Sequence, residues 1–151
     1  MSTRLRLAGH PLHPLLVHFP IALWTIAIAA ELGGWAAGRD WWAVSFDCQA
    51  LGAIAAIVAT AAGVADYAAL PRAHPAADTA VFHMMAMGGA WLLFVSSLAL
   101  RGLPASQTPP LVATAAAVAG FLVMAIGGWL GGRLVYRFGV GVSGDSPSGR
   151  S

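Results

Sequence analysis

Four long apolar runs constrain the fold of this chain more than any other feature of its sequence. A helix that crosses the ~30 Å hydrocarbon core of a bilayer needs about 20 mostly apolar residues. We predict one membrane-spanning helix over each of residues 15–37, 50–70, 81–100 and 111–133. Glu31 and Asp66 are the formal charges within the first two runs, the third run has none, and the fourth ends at Arg133.

The runs are expected to be helical because lipid offers the backbone no hydrogen-bonding partners. Glycine, proline and charged residues separate them, at 38–40, at 71–72 and between 104 and 110. The predicted fold is therefore all-α, an integral membrane four-helix bundle that forms a single domain over residues 1–142. The last residues, 143–151, are rich in glycine and serine and are predicted to be disordered.

The composition agrees with a membrane location. Of the 151 residues, 58% are hydrophobic and 9% are charged, whereas a soluble domain has about 45–50% apolar and about 25% charged residues. These values exclude a disordered chain, a disulfide-rich secreted domain and most soluble enzymes. The net charge of +2 comes from arginines that are spread along the chain, which argues against nucleic-acid binding.

Four spans place both termini and the loop around Arg72 on one side of the membrane, which we call the terminal side. Six arginines lie there, and Arg39 and Arg101 lie on the opposite side. The positive-inside rule therefore predicts a multi-pass protein with both termini in the cytoplasm.

The same topology gathers most of the polar residues at the terminal side. They are His10, His13, His18, Asp66, His74, His83, Arg133 and Tyr136. His18 and Asp66 share a helix face with mostly small residues, and His83 lies on one face with Met87 and Ala90, so these three side chains are predicted to face the bundle interior. An ionisable residue inside a span is a functional candidate by default, although a structural hydrogen-bond network would also account for them.

Two further features concern helix packing. Glu31 lies alone toward the opposite side, where it is predicted to be interfacial or to pair with Arg39. The fourth run contains the overlapping patterns Gly127-xxx-Gly131 and Gly128-xxx-Gly132, which predict close approach of a neighbouring helix.

The sequence from Gly9 to Pro20, GHPLHPLLVHFP, resembles the opening motif of a bacterial membrane family catalogued as domain of unknown function 2231. Further matches are GVADY over 63–67, His83, and GGRLVY over 131–136, so the resemblance covers about residues 9–142. It implies a four-helix module of the bacterial cytoplasmic membrane without an assigned activity. Similar modules joined to Rieske iron–sulfur or cytochrome c domains imply, by analogy, a redox role and a membrane or peripheral redox protein as partner.

The leading functional hypothesis is a single b-type haem. Haem iron takes axial ligands from opposite sides, and helix bundles supply them from facing helices. His18 and His83 lie at similar depth in the first and third spans and are the predicted ligands. Arg133 would face a propionate, and Tyr136 lies beside it.

Two alternatives stay open. A transition-metal ion could bind His13, His18, Asp66 and His83, whose imidazole and carboxylate groups suit zinc, iron or copper. The protein could also be a non-catalytic membrane anchor or assembly subunit, in which the same polar residues form a structural network. The sequence has no HExxH motif, nucleophile elbow or phosphate-binding glycine loop, so it makes no prediction about enzymatic activity.

Overall fold

The computed structural model describes residues 6–7, 10–37, 39–105 and 107–142. Its main elements are four long helices: α2 (His18–Ala37), α3 (Arg39–Ala68), α4 (Ala77–Arg101) and α5 (Leu111–Tyr136). A short helix, α1 (Leu12–Leu16), precedes them, and the two-residue strands β1 (Arg6–Leu7) and β2 (His10–Pro11) pair antiparallel ahead of it. The segment 143–151, predicted to be disordered, lies outside the described residues.

The prediction of an all-α membrane four-helix bundle is confirmed. Four helical segments are long and apolar enough to cross a bilayer, the first of them formed by α1 and α2 together. Large apolar side chains such as Ile54, Phe82 and Leu122 are exposed on the outside of the bundle, where a soluble protein would carry polar groups. This outer surface fits lipid, because apolar side chains facing hydrocarbon bear no hydration cost.

The helix α3 begins at Arg39, well before the apolar run predicted from residue 50. Its first third is amphipathic, which weakened the hydropathy signal. Trp42, Ser45 and Gln49 are buried on one face, while Asp40 and Asp47 are exposed on the other.

Two helical hairpins build the bundle. The helix α2 packs chiefly on α3, and α4 packs chiefly on α5, with smaller contacts of α3 with α4 and of α2 with α5. Trp24 stacks on Phe94 across the centre with ring centroids 4.4 Å apart, and its indole N–H donates to the backbone carbonyl of Gln49. Most other buried apolar residues are alanines, so the helix backbones approach closely around this aromatic pair.

The two glycine patterns of α5 face different surroundings. A Cβ on Gly127 would lie 2.6 Å from the sulfur of Met87 on α4, and a Cβ on Gly131 would lie 3.2 Å from the His83 ring. A Cβ on Gly128 would meet no atom within 4 Å. Only the Gly127-xxx-Gly131 pattern therefore packs against a helix of the bundle.

Gly52 provides a direct test of this close packing. A Cβ there would lie 2.6 Å from the indole of Trp24, which is fully buried and held by Phe94. We expect Gly52→Ala to lower the free energy of unfolding by about 1–3 kcal/mol through overpacking. Gly128→Ala, the matched control, should leave it unchanged or raise it by at most about 1 kcal/mol. Equal stability of the two variants in detergent unfolding would contradict the packing described.

Candidate functional site

The structure brings two of the predicted site residues together at the terminal side. The rings of His13 on α1 and His83 on α4 lie with their centroids 6.3 Å apart and their planes at 85°. Both side chains are partly buried. We refer to these two residues as the histidine pair.

Each ring of the pair is fixed by the backbone of a neighbouring helix. The Nδ1 atom of His13 lies 2.8 Å from the Ala59 carbonyl on α3, and the Nδ1 atom of His83 lies 2.8 Å from the Gly127 carbonyl on α5. A carbonyl can only accept a hydrogen bond, so each Nδ1 carries a proton and donates. In the neutral ring the Nε2 atom then keeps its lone pair, and neither Nε2 makes a hydrogen bond to any residue that the structure describes.

The same local arrangement holds both rings. A glycine lies four residues after each accepting carbonyl: Gly63 after Ala59, and Gly131 after Gly127. A Cβ on Gly63 would lie 2.9 Å from the His13 ring, and a Cβ on Gly131 would lie 3.2 Å from the His83 ring. The missing side chain lets each imidazole reach a carbonyl that the helix already uses, because a carbonyl oxygen has two lone pairs.

Asp66 lies on the face of α3 that packs on His13. It follows Gly63 by three residues, so the two share a face one turn apart. Its Oδ1 atom is buried and has no hydrogen-bond partner among the described residues. The prediction that Asp66 and His83 point toward the interior is therefore supported by their partial burial.

The predicted interior position of His18 is wrong. His18 is exposed, as are Ala22, Thr25 and Ala29, the residues that share its face. The buried stripe of α2 runs instead through Pro20, Trp24 and Glu31. Trp24 determines this rotation, since its large ring stacks on Phe94 and its N–H needs the buried acceptor on α3.

Arg133 and Tyr136 lie away from the histidine pair. The Arg133 guanidinium lies over the Trp129 ring, 5.0 Å from its centroid, and Tyr136 is 92% exposed. Residues two apart on a helix point to opposite sides, so Arg133 cannot share the inward direction of Gly131. The expectation that Arg133 faces a propionate beside His83 therefore does not agree with its orientation.

The other predicted ligands are also dispersed. His74 accepts a hydrogen bond from the Ala76 backbone N–H within the loop before α4, and the His10 side chain lies outside the described part of the structure. Among the described residues, no three histidine, cysteine or acidic side chains are grouped to hold a metal ion. The four-ligand set of His13, His18, Asp66 and His83 is thus not assembled.

A second polar cluster lies toward the opposite side of the membrane. Its centre is Glu31 on α2, which is fully buried and forms an ion pair with Arg101 at the end of α4. The Glu31 carboxylate also accepts hydrogen bonds from Ser45 at 2.8 Å and from Thr114 at 2.6 Å. Gln49 donates to the Ser45 hydroxyl at 3.1 Å.

This cluster corrects the prediction for Glu31, which is fully buried in the bundle and forms its ion pair with Arg101, whereas the Arg39 side chain lies outside the described part of the structure. One sequence signal could have found the true partner: Arg101 is the cation that closes the third span on the side toward which Glu31 lies. The serine and threonine partners carry no such signal, because hydroxyl groups are common in membrane helices and satisfy backbone carbonyls there.

The cluster joins all four long helices, since α2, α3, α4 and α5 each contribute a side chain. Several buried polar atoms around it have no partner among the described residues, namely Gln49 Oε1, Ser97 Oγ, Arg101 Nε and Trp42 Nε1. Buried atoms of this kind are usually satisfied by ordered water. The two charges of the ion pair nevertheless neutralise each other, and Ser45 and Thr114 donate further hydrogen bonds to the Glu31 carboxylate. Charges that are paired in this way can persist within a membrane span.

We expect Glu31→Gln to lower the free energy of unfolding by about 3–5 kcal/mol, because it leaves the Arg101 guanidinium buried without a counter-charge. The double variant Glu31→Gln, Arg101→Met should recover part of that loss, since it removes both charges. Asp47→Asn is the control, because Asp47 is exposed on α3. A double variant less stable than either single variant in detergent unfolding would contradict the pairing.

Comparison with known proteins identifies the family but no characterised relative. No curated protein and no solved structure gives a significant match to the chain. A family model described as a predicted membrane protein (DUF2231) matches residues 9–144, which include both the histidine pair and the Glu31 cluster. The chain therefore belongs to the membrane-protein family defined as domain of unknown function 2231.

Proposed function

We propose that this membrane protein binds a transition-metal centre at the histidine pair, with the iron of a single b-type haem as the principal candidate. The observation that carries the proposal is the anchoring of both rings: each Nδ1–H donates to a helix carbonyl, and neither Nε2 makes a hydrogen bond to a described residue. His13 takes the role that the sequence suggested for His18.

Histidines that ligate metals almost always donate their other ring N–H to a carbonyl or carboxylate. That bond fixes the tautomer and the ring orientation, and it raises the basicity of the ligating nitrogen. The histidine pair has this arrangement twice, on two different helices. Two histidines that served only to join helices would need the same bonds, so the test must detect a bound group.

The number of ligands favours haem over a bare ion. Structural zinc needs four protein ligands, whereas haem iron needs only two axial ligands from the protein. Two imidazoles on opposite sides of one metal would have centroids roughly 6 Å apart, since metal–nitrogen bonds are about 2.0–2.1 Å long. The observed separation of the His13 and His83 centroids, 6.3 Å, agrees with that value.

A bound haem would supply one-electron transfer, and a membrane or peripheral redox protein would then be the expected partner. The chain's own contribution would be to hold both imidazoles in place through Ala59 and Gly127. It would also shield them with the surrounding apolar helices. Arg133 has no role in this proposal because of its outward orientation.

A transition-metal ion is the second candidate. The buried Oδ1 of Asp66, which has no hydrogen-bond partner among the described residues, supports it, because Asp66 lies on the face of α3 that packs on His13 and carboxylate and imidazole ligands suit zinc, iron or copper. Such an ion would need water or another ligand to complete its coordination.

We also infer that the protein lies in a bacterial cytoplasmic membrane with both termini in the cytoplasm. The burial of Arg101 in the ion pair adds support, since its charge is compensated by Glu31. Arg39 is then the one arginine left on the opposite side of the membrane, against six on the terminal side.

Protein purified in detergent from cells supplied with haem should show a Soret band, with sharp α and β bands after dithionite reduction. His13→Ala and His83→Ala should each abolish these bands, because a single imidazole cannot supply both axial ligands. His18→Ala should retain them, since His18 is exposed. Bands that persist in both variants would overturn the assignment of ligands.

Elemental analysis of the same samples separates the remaining possibilities. A colourless protein with stoichiometric metal, lost in Asp66→Asn, would replace haem by the metal ion. A colourless, metal-free protein that is destabilised by both histidine variants would leave the histidine pair a structural role only.

The orientation is tested separately with reporters fused to the C-terminus. A fluorescent protein should be bright there, and alkaline phosphatase should be inactive, because the former folds in the cytoplasm and the latter needs an oxidising compartment. The reverse pattern would refute the orientation inferred from the arginines.

A further inference from the structure

The outward face of α5 carries a groove that is separate from the histidine pair. It has a volume of ≈ 450 Å³ and is lined by Trp129, Gly132, Arg133, Tyr136 and Arg137. We call it the α5 groove. It lies at the terminal end of a helix that is long and apolar enough to cross a bilayer, so in a membrane it would lie near the boundary between lipid headgroups and hydrocarbon.

Among the described residues, no acidic side chain forms an ion pair with the two arginines of the α5 groove. Arg133 and Arg137 lie one turn apart on the same face, and the one ion pair within the described residues joins Glu31 to Arg101 instead. The negative end of the α5 helix dipole amounts to roughly half a charge, which is smaller than the charge of two guanidinium groups. The groove therefore attracts anions.

Two amphipathic aromatic side chains, Trp129 and Tyr136, line the α5 groove. Trp129 is 61% exposed and Tyr136 is 92% exposed, and both residue types are enriched where membranes meet water. Arg133 lies over the Trp129 ring and Arg137 over the Phe138 ring, so aromatic faces orient both guanidinium groups. Gly132 forms an open part of the lining, since a Cβ there would meet only Tyr136 at 4.0 Å.

The geometry points to a binding site for an anionic phospholipid such as phosphatidylglycerol. The two guanidinium groups bind the phosphate, since arginine forms paired hydrogen bonds with phosphate oxygens. The acyl chains pass along the apolar outer face of α5, beside Trp129 and Gly128. A soluble anion would use the charges but not this apolar surface, and for that reason we commit to lipid.

Native mass spectrometry of the full chain in detergent tests the proposal, with phosphatidylglycerol and phosphatidylcholine of identical acyl chains added in equal amounts. The protein should retain phosphatidylglycerol preferentially. The double variant Arg133→Gln, Arg137→Gln should lose about 30-fold in phosphatidylglycerol affinity and bind the two lipids equally. Arg72→Gln, which alters an exposed arginine of a loop, should bind as the wild type does.

A steric variant tests the same site without changing charge. Gly132→Leu should weaken phosphatidylglycerol binding by filling the groove, and Gly88→Leu should not, since Gly88 is exposed on α4 and outside the lining. Both positions have room at the Cβ, because a Cβ at Gly88 meets no atom within 4 Å and one at Gly132 meets Tyr136 at an ordinary contact distance. The steric pair therefore stays informative if the arginine variant fails to fold.

Two results would overturn the proposal. One is an unchanged preference for phosphatidylglycerol in both the arginine variant and Gly132→Leu. The other is equally strong binding of free glycerol phosphate, which would assign the α5 groove to a water-soluble phosphate.

Discussion

The buried ion pair between Glu31 and Arg101 is the interaction on which the arrangement of the four helices depends. An unpaired charge within a membrane span would cost several kcal/mol. The helices must therefore pack in one of the few arrangements that bring Glu31 and Arg101 together. Ser45 on α3 and Thr114 on α5 each donate a hydrogen bond to the Glu31 carboxylate. The pair thereby sets the rotation and depth of all four helices, a role that apolar contacts cannot perform alone because lipid competes for them equally.

In the packed bundle, glycine residues determine where aromatic rings fit between neighbouring helices. Gly52 accommodates Trp24 in the centre, while Gly63 and Gly131 accommodate His13 and His83 at the terminal side. In each case a ring reaches a helix carbonyl or packs on a backbone, because no Cβ blocks it. The histidine pair is thus built from the same packing that stabilises the bundle, and the Nε2 atoms of both rings make no hydrogen bond to a described residue.

The two faces of α5 carry residues that belong to different sites. Gly127 and Gly131 face α4 and hold His83, whereas Gly128, Gly132 and Arg133 face outward. A motif that looks continuous in sequence therefore divides between a partly buried imidazole and a charged groove on the outer surface. This division explains why the residues first grouped as one site around His83 serve two proposals, a metal centre inside the bundle and an anionic lipid outside it.

The sequence by itself determined the number of spans, the all-α class and the gathering of the histidines at one side, because apolar length and connectivity act along the chain. It also indicated the inward faces of α3 and α4, where small residues mark the packing stripe. Only the tertiary structure decided that His13 rather than His18 meets His83, and that Glu31 pairs with Arg101. Both outcomes depend on the rotation of α2, which Trp24 and the buried carboxylate fix through contacts with three other helices. Helical periodicity identifies which residues share a face, but in a nearly uniform apolar helix it cannot say which face the neighbouring helices cover.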